Sequence, residues 1–249
     1  MDALAALELL KKATWVNEDD ELMTADFKPG LSESEIQEIE RRIGARMPED
    51  YRLLLAHVTE LCGPAPGPEM DFSGRTCAFE MLELFPRGLP FAFDGCGNFW
   101  VVDVLSEPEA KAAIFYVCHD APVMLFQCFG VAAFLADVAS GCTPENKCLT
   151  IDVNDDKLFN VWNRNPGLLT MEEALVYGDS LVQAFAQTLS PDFLICDLRN
   201  AAPGMGFSWG RFGPNTVIRR YGEERIFAYA KPSERSPRPG FLARLFGRR

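Results

Sequence analysis

Two histidines, His57 and His119, serve a chain of 249 residues, and no pair of its eight cysteines has C-x-x-C spacing. That combination offers no zinc pattern. A calcium loop fails too. Asp152, Asn154 and Asp156 fit its first, third and fifth positions, but Lys157 and Asn163 stand where a glycine and a glutamate are needed. No run approaches 18 apolar residues, so no membrane span is expected. The start, "MDALAALELLKK", lacks a basic n-region and a cleavage site, and no secretion signal is expected. At Gly95-Cys96-Gly97 a dinucleotide fingerprint would need a third glycine where Trp100 stands, with a helix following; a strand-like "FWVVDV" follows instead, and no G-K-[ST] occurs. A cysteine nucleophile needs a base within reach. Cys118 and His119 are neighbours, but successive strand residues point to opposite faces. His119 facing Cys96 from an adjacent strand leaves a Cys/His hydrolase as the enzymatic alternative. No cofactor is implied.

The cysteines (Cys62, Cys77, Cys96, Cys118, Cys128, Cys142, Cys148 and Cys196) lie mostly in apolar runs and read as reduced core thiols of a cytoplasmic protein. With 48% apolar and 24% charged residues, the chain has enough for a real core. Its charge is unevenly placed. From Lys231 onward six basic residues face only Glu234, a net of +5, which leaves −17 on residues 1–230 of the −12 total. Such a body is repelled by phosphate backbones, so nucleic acid is not an expected partner. It attracts a basic partner and speeds encounter with it. Phe241, Leu242, Leu245 and Phe246, set among the arginines of the tail, suit contact with anionic lipid or an acidic surface.

Local patterns predict the elements. Residues 2–13 have helical apolar spacing, and the acid run 17–22 reads as a solvated loop. Ser32 with Glu35 is a capping box for a helix that carries Ile36, Ile39 and Ile43 on one stripe and stops at Gly44. A second helix is predicted from Pro48 to Cys62-Gly63. The period then changes. Residues 77–84, 89–93, 98–104, 112–119 and 123–129 read as antiparallel strands, several apolar on both faces and hence central. Residues 130–141 read as a helix that packs back on the sheet. The order helix, helix, meander, helix is α+β. Beyond Cys148, Thr170 and Glu173 form a second capping box on a helical stretch broken near Gly178. Residues 192–198, 204–212 and 216–230 read as strands, the last a hairpin. This region is either a small second α+β domain or an extension of the first sheet.

Residues 31 to about 139 resemble the SUKH superfamily, the Smi/Knr-type proteins. Three segments carry the likeness: the capped helix leading into "MPEDYRLLLAHV"; "GLPFAFDGCGNFWVVDV", where Asp94, Gly95, Gly97, Asn98 and Asp103 match the family hairpin; and "AIFYVCHDAPVMLFQCFGVAAFLADV", similar to its strand, acid-bearing turn, strand and closing helix. Two departures stand out: "TELCGPAPG" replaces an Asn-Gly-Gly turn, and Cys128-Phe129-Gly130 replaces a serine before the phenylalanine.

The resemblance implies an antiparallel sheet of four to six strands packed by flanking helices, and binding rather than catalysis. The expected organisation is an N-terminal helix and loop (1–30), a SUKH-like domain (31–147), a C-terminal α+β region (148–230) and a basic tail (231–249). Bacterial members are mostly immunity proteins that neutralise polymorphic toxins, such as Rhs or type VI-delivered effectors, by direct contact. The implied partner is therefore a cognate, basic toxin domain whose active site is occluded. A regulatory scaffold in signalling or cell-wall control is the alternative. Expected contact residues are Asp94 and Asn98 in the hairpin loop, Asp120 at the next turn, and Glu80 and Glu83 on the first strand.

Overall fold

Asp2 caps the first helix, its carboxylate accepting the Ala5 N–H at 2.8 Å, and α1 (Ala3–Lys12) follows with Ala3, Ala6, Leu7 and Leu10 buried. The computed structural model of the chain describes residues 1–230 apart from 18, 63–66, 76–80, 82, 107–111, 119–121, 144–147, 154–156 and 209–215. The described residues of the acid run form the exposed turn expected of them, but that turn joins two strands the sequence did not show, β1 (Thr14–Val16) and β2 (Leu22–Thr24), a hairpin pinned by the buried indole of Trp15. Next come β3 (Asp26–Pro29) and α2 (Glu33–Ile43). The α2 capping box is present: Ser32 N–H donates to Glu35 at 2.9 Å and Ser32 Oγ accepts the Glu35 N–H at 3.4 Å.

Helix α3 (Glu49–His57) is shorter than predicted. Its continuation is β4 (Val58–Cys62), which pairs with β3. Val58 and Thr59 are β-branched and suit a pleated partner better than another helical turn. Tyr51, buried, donates its hydroxyl to the Phe72 carbonyl at 2.8 Å and so ties α3 to the chain beyond.

The central sheet is built from β5 (Glu69–Met70), β6 (Gly88–Phe93), β7 (Phe99–Asp103), β8 (Ala113–Cys118) and β9 (Val123–Phe129). Of the strand predicted over 77–84, residues 83 and 84 form a turn instead, with Leu84 and Phe85 N–H both donating to the Met81 carbonyl, and residue 82 lies outside the described residues. Residues 76–80 lie outside the described residues. Helix α4 (Val131–Gly141) closes the segment as predicted. It is followed by α5 (Lys157–Arg164), β10 (Leu169–Thr170), α6 (Met171–Leu175), α7 (Ser180–Ala186), β11 (Phe193–Asp197), β12 (Gly206–Ser208), β13 (Ile218–Arg220) and β14 (Ile226–Ala230). The break between α6 and α7 falls at Gly178, and the Thr170–Glu173 box caps α6.

Both readings of the C-terminal region hold in part. β12 joins the first sheet, giving six antiparallel strands in the order β12-β9-β8-β7-β6-β5. It comes so close to β9 that a side chain on Gly206 would meet the Met124 carbonyl oxygen at 1.8 Å, so only glycine fits. The remaining strands make a second sheet, β10-β11-β14-β13.

The architecture is α+β in four layers. Leu89, Phe91, Trp100, Val102, Ile114 and Tyr116 face α1, α3 and α4. The opposite face, with Val101, Phe115, Val117, Met124 and Phe126, packs on Cys196, Leu198, Phe227 and Tyr229 of the second sheet. Phe115 meets Phe227 edge-on at 6.3 Å. Along β14 the alternation continues: Ile226 and Ala228 turn the other way, onto α6 and α7. Every residue of β8 is therefore buried, which explains its unbroken apolar sequence.

Candidate partner-binding surface

The β6–β7 turn is shaped by two glycines and one carboxylate. Gly95 (φ +74°) and Gly97 (φ +90°) take left-handed backbone that other residues rarely adopt. Asp94 accepts the N–H groups of Cys96 at 2.9 Å and Asn98 at 3.2 Å, and the Asn98 side-chain amide at 2.6 Å. The predicted pair Asp94 and Asn98 is thus brought together. Asn98 is buried by the contact, while Asp94 stays half-exposed with its charge at the rim.

Strand register gathers further groups at this end of the sheet. Phe99 lies opposite Val117, and Val123 lies opposite both Cys118 and Ser208. The β8–β9 connection, which carries Asp120, therefore leaves the sheet at the same end as the Asp94 turn. Glu69, exposed, sits on β5 opposite Phe93, the residue before Asp94. Asp120 and Glu80 themselves lie outside the described residues. Glu83 is exposed but sits on a turn with Leu84 rather than on a strand, where the Leu84 and Phe85 N–H groups both donate to the Met81 carbonyl before β6 begins. Gly88 pairs with Asp103 at that opposite end, so Glu83 and Asp94 belong to different ends of the sheet.

The opposite end carries a buried cluster of charges. Asp103, almost wholly buried, receives both terminal nitrogens of Arg220 at 2.7 and 2.9 Å and Nε of Arg225 at 2.9 Å. Arg220 also donates to the Leu84 carbonyl at 2.7 Å. Burial pulls the Arg225 guanidinium below its ordinary range, against the pull of Asp103. Nearby, Glu223 accepts Ser106 N–H at 2.8 Å and pairs with Arg87. The Ser106 hydrogen bonds, and then Arg87, lower its pKa to about 2. This network locks the β13–β14 hairpin to the six-stranded sheet. Sequence reading marked Asp103 as a motif residue but gave no sign of its arginine partners.

Thiol chemistry finds little support among the described cysteines. Burial holds Cys128, Cys148 and Cys196 protonated, their pKa values pushed up to about 12. Cys96 is exposed at the turn. His57, on α3, places Nδ1 2.8 Å from the Leu53 carbonyl, and His119 lies outside the described residues. Among the described residues no group of three His, Cys, Asp or Glu side chains is placed to hold a metal, and no helix is long and apolar enough to cross a membrane. A cavity of about 630 Å³ between α2 and α3 is lined by Glu33, Glu40, Arg41, Arg46 and Arg52. Its acids and bases pair with one another, Arg52 with Glu33, Glu40 and Glu49. That leaves no strong uncompensated charge for a small ligand.

Among the described residues, this end of the sheet presents the half-exposed, hydrogen-bonded carboxylate of Asp94 and the exposed Glu69. No curated protein and no solved structure matches the chain. A family model does: that of the SMI1 / KNR4 family (SUKH-1), over residues 30–137. The span runs from the start of the capped α2 helix to the middle of α4 and takes in the Asp94 turn and Asp103. Residues 30–137 are thus matched as an SMI1/KNR4 (SUKH-1) domain, which covers somewhat under half of the chain.

Proposed function

We propose that this chain is an immunity protein that binds a cognate toxin domain in the cytoplasm and occludes its active site. The observation that carries the reading is the SUKH-1 domain over residues 30–137. The charge of residues 1–230, net −17, supports a basic partner, since opposite potentials steer encounter and suppress wrong partners. Half-exposed Asp94 and exposed Glu69 at one end of the sheet, and Glu83 at the other, belong to this acidic surface. Asp120 and Glu80 are proposed contacts on the same grounds of charge. Asn98 acts by holding Asp94 in place.

Co-expression with any growth-arresting product of the adjacent reading frames tests the reading. The chain should restore growth and co-purify with that toxin at one to one. Growth arrest unchanged by the chain, or co-purification with several unrelated proteins, would replace this reading with a regulatory scaffold.

A further inference from the structure

Among the described residues, large exposed apolar side chains are mostly single or, like Val16 and Leu22 on the β1–β2 hairpin, paired, and one place gathers four. At the corner between α6 and α7, Leu175, Val176, Tyr177 and Leu181 are 46, 82, 42 and 37% exposed, four within seven residues. The inner side of the same corner is satisfied: Met171, Ala174, Val182 and Phe185 pack on the second sheet. The outer side is bare. A concentration of this kind on a soluble surface marks a contact region.

The rim of the corner is acidic, and its charges are held in position. Glu173 is fixed by the Thr170 capping box. Asp179 accepts Leu181 N–H at 2.9 Å and Val182 N–H at 3.1 Å. Glu172 is exposed beside them. An occupant of this surface needs apolar side chains flanked by positive charge.

The chain itself contains such a segment. Phe241, Leu242, Leu245 and Phe246 fall at i, i+1, i+4 and i+5, one face of a helical turn, with Arg244, Arg248 and Arg249 around them. Segment 231–249 lies outside the described residues, but its point of departure does not. Ala230, the last residue of β14, pairs with Phe193 of β11, and Phe193 belongs to the cluster on which α6 and α7 pack. The eleven residues from Ala230 to Phe241 span up to about 36 Å. Ala230 itself packs against that cluster, so the segment starts beside the elements that form the corner. Reach is no obstacle.

We propose that residues 241–249 fold back onto the α6–α7 corner, setting their apolar face over Leu175, Val176 and Leu181 and their arginines against the acidic rim and the Tyr177 ring. An arginine over an exposed aromatic face adds cation–π attraction. Tethering supplies an effective concentration on the order of 1 mM, so even a contact with a dissociation constant on the order of 0.1 mM is about tenfold in favour of the docked form. The inference rests on the corner and the segment alone and stands apart from the toxin reading.

Amide hydrogen exchange of the full chain tests it. In a variant with Phe241, Leu242, Leu245 and Phe246 all replaced by serine, amides of 174–183 should exchange up to about tenfold faster than in the parent. Val176→Asp, at an exposed position, should give the same rise and also speed exchange within 241–249. Equal exchange at the corner in parent and segment variant overturns the proposal. So does corner protection that grows with protein concentration, which assigns the patch to a second copy. Binding of the parent to phosphatidylserine vesicles that needs the segment, with no segment-dependent protection of the corner, also overturns it and assigns the segment to lipid.

Discussion

The two faces of the six-stranded sheet are buried by different means. One is covered by α1, α3 and α4, two of them inside the SUKH-1 segment, and its core is built around Phe91, Trp100 and Phe134. The other is covered by a second sheet, β10-β11-β14-β13, through Cys196, Phe227 and Tyr229. The first face is largely the family's own, whereas the second is covered by chain outside the family match. A sheet apolar on both sides cannot leave one face to water, so the C-terminal region is part of the same folding unit as the family domain. The Asp103–Arg220–Arg225 cluster ties the two regions together at the sheet's end.

The comparison breaks first at the cores. Phe91→Ala on the helical face and Phe227→Ala on the sheet face should each cost about 3–5 kcal/mol. In denaturant, circular dichroism and tryptophan fluorescence should then report one shared transition for either variant. A separate early transition in Phe227→Ala alone would show that the second sheet folds by itself. Next is the charged clamp. Asp103→Asn leaves two buried guanidinium groups short of a counter-charge and should cost about 3–5 kcal/mol by chemical denaturation. Arg87→Ala, on the partly exposed neighbour pair, should cost far less.

A smaller effect separates family-side local structure from the long-range contacts. Ser32→Ala removes the α2 cap and should cost about 1 kcal/mol, read as a lowered denaturation midpoint. The smallest is pH-dependent. Glu223 has its pKa lowered from 4.5 to about 2 in the folded chain. Its contribution is therefore fully present above pH 4.5 and is lost as pH falls toward 2. Glu223→Gln should flatten the acid limb of the stability curve across that window, and an unchanged slope would remove Glu223 from the account.

Much of this fold was legible because its signals are local. The capping boxes at Ser32 and Thr170, the apolar stripe of α2 and the strands over 88–129 all follow from spacing alone. The sequence-based errors have the same cause. β1 and β2 are three residues each, too short to show a period beside the acids that join them, and only Trp15 hinted at a buried partner. Helix α3 turns into β4 at Val58 because β3, some thirty residues earlier, offers it an edge. Asp103 meets Arg220 and Arg225 across 117 and 122 residues, beyond any pattern in a single sequence.

The candidate surface shows the same division. Asp94 was found through its motif, yet the motif residues mostly build the fold: Tyr51 bridges to Phe72, Asn98 braces Asp94, and Asp103 anchors the hairpin. Partner choice then falls to exposed charges that no motif marks.

The most direct test of the central claim is to express the product of each reading frame adjacent to this chain's gene, assay it for toxicity, and titrate any toxic domain with the chain at several salt concentrations. The account predicts that activity is lost at one equivalent and that association slows steeply as salt rises. A toxin that stays fully active with the chain in excess would contradict it.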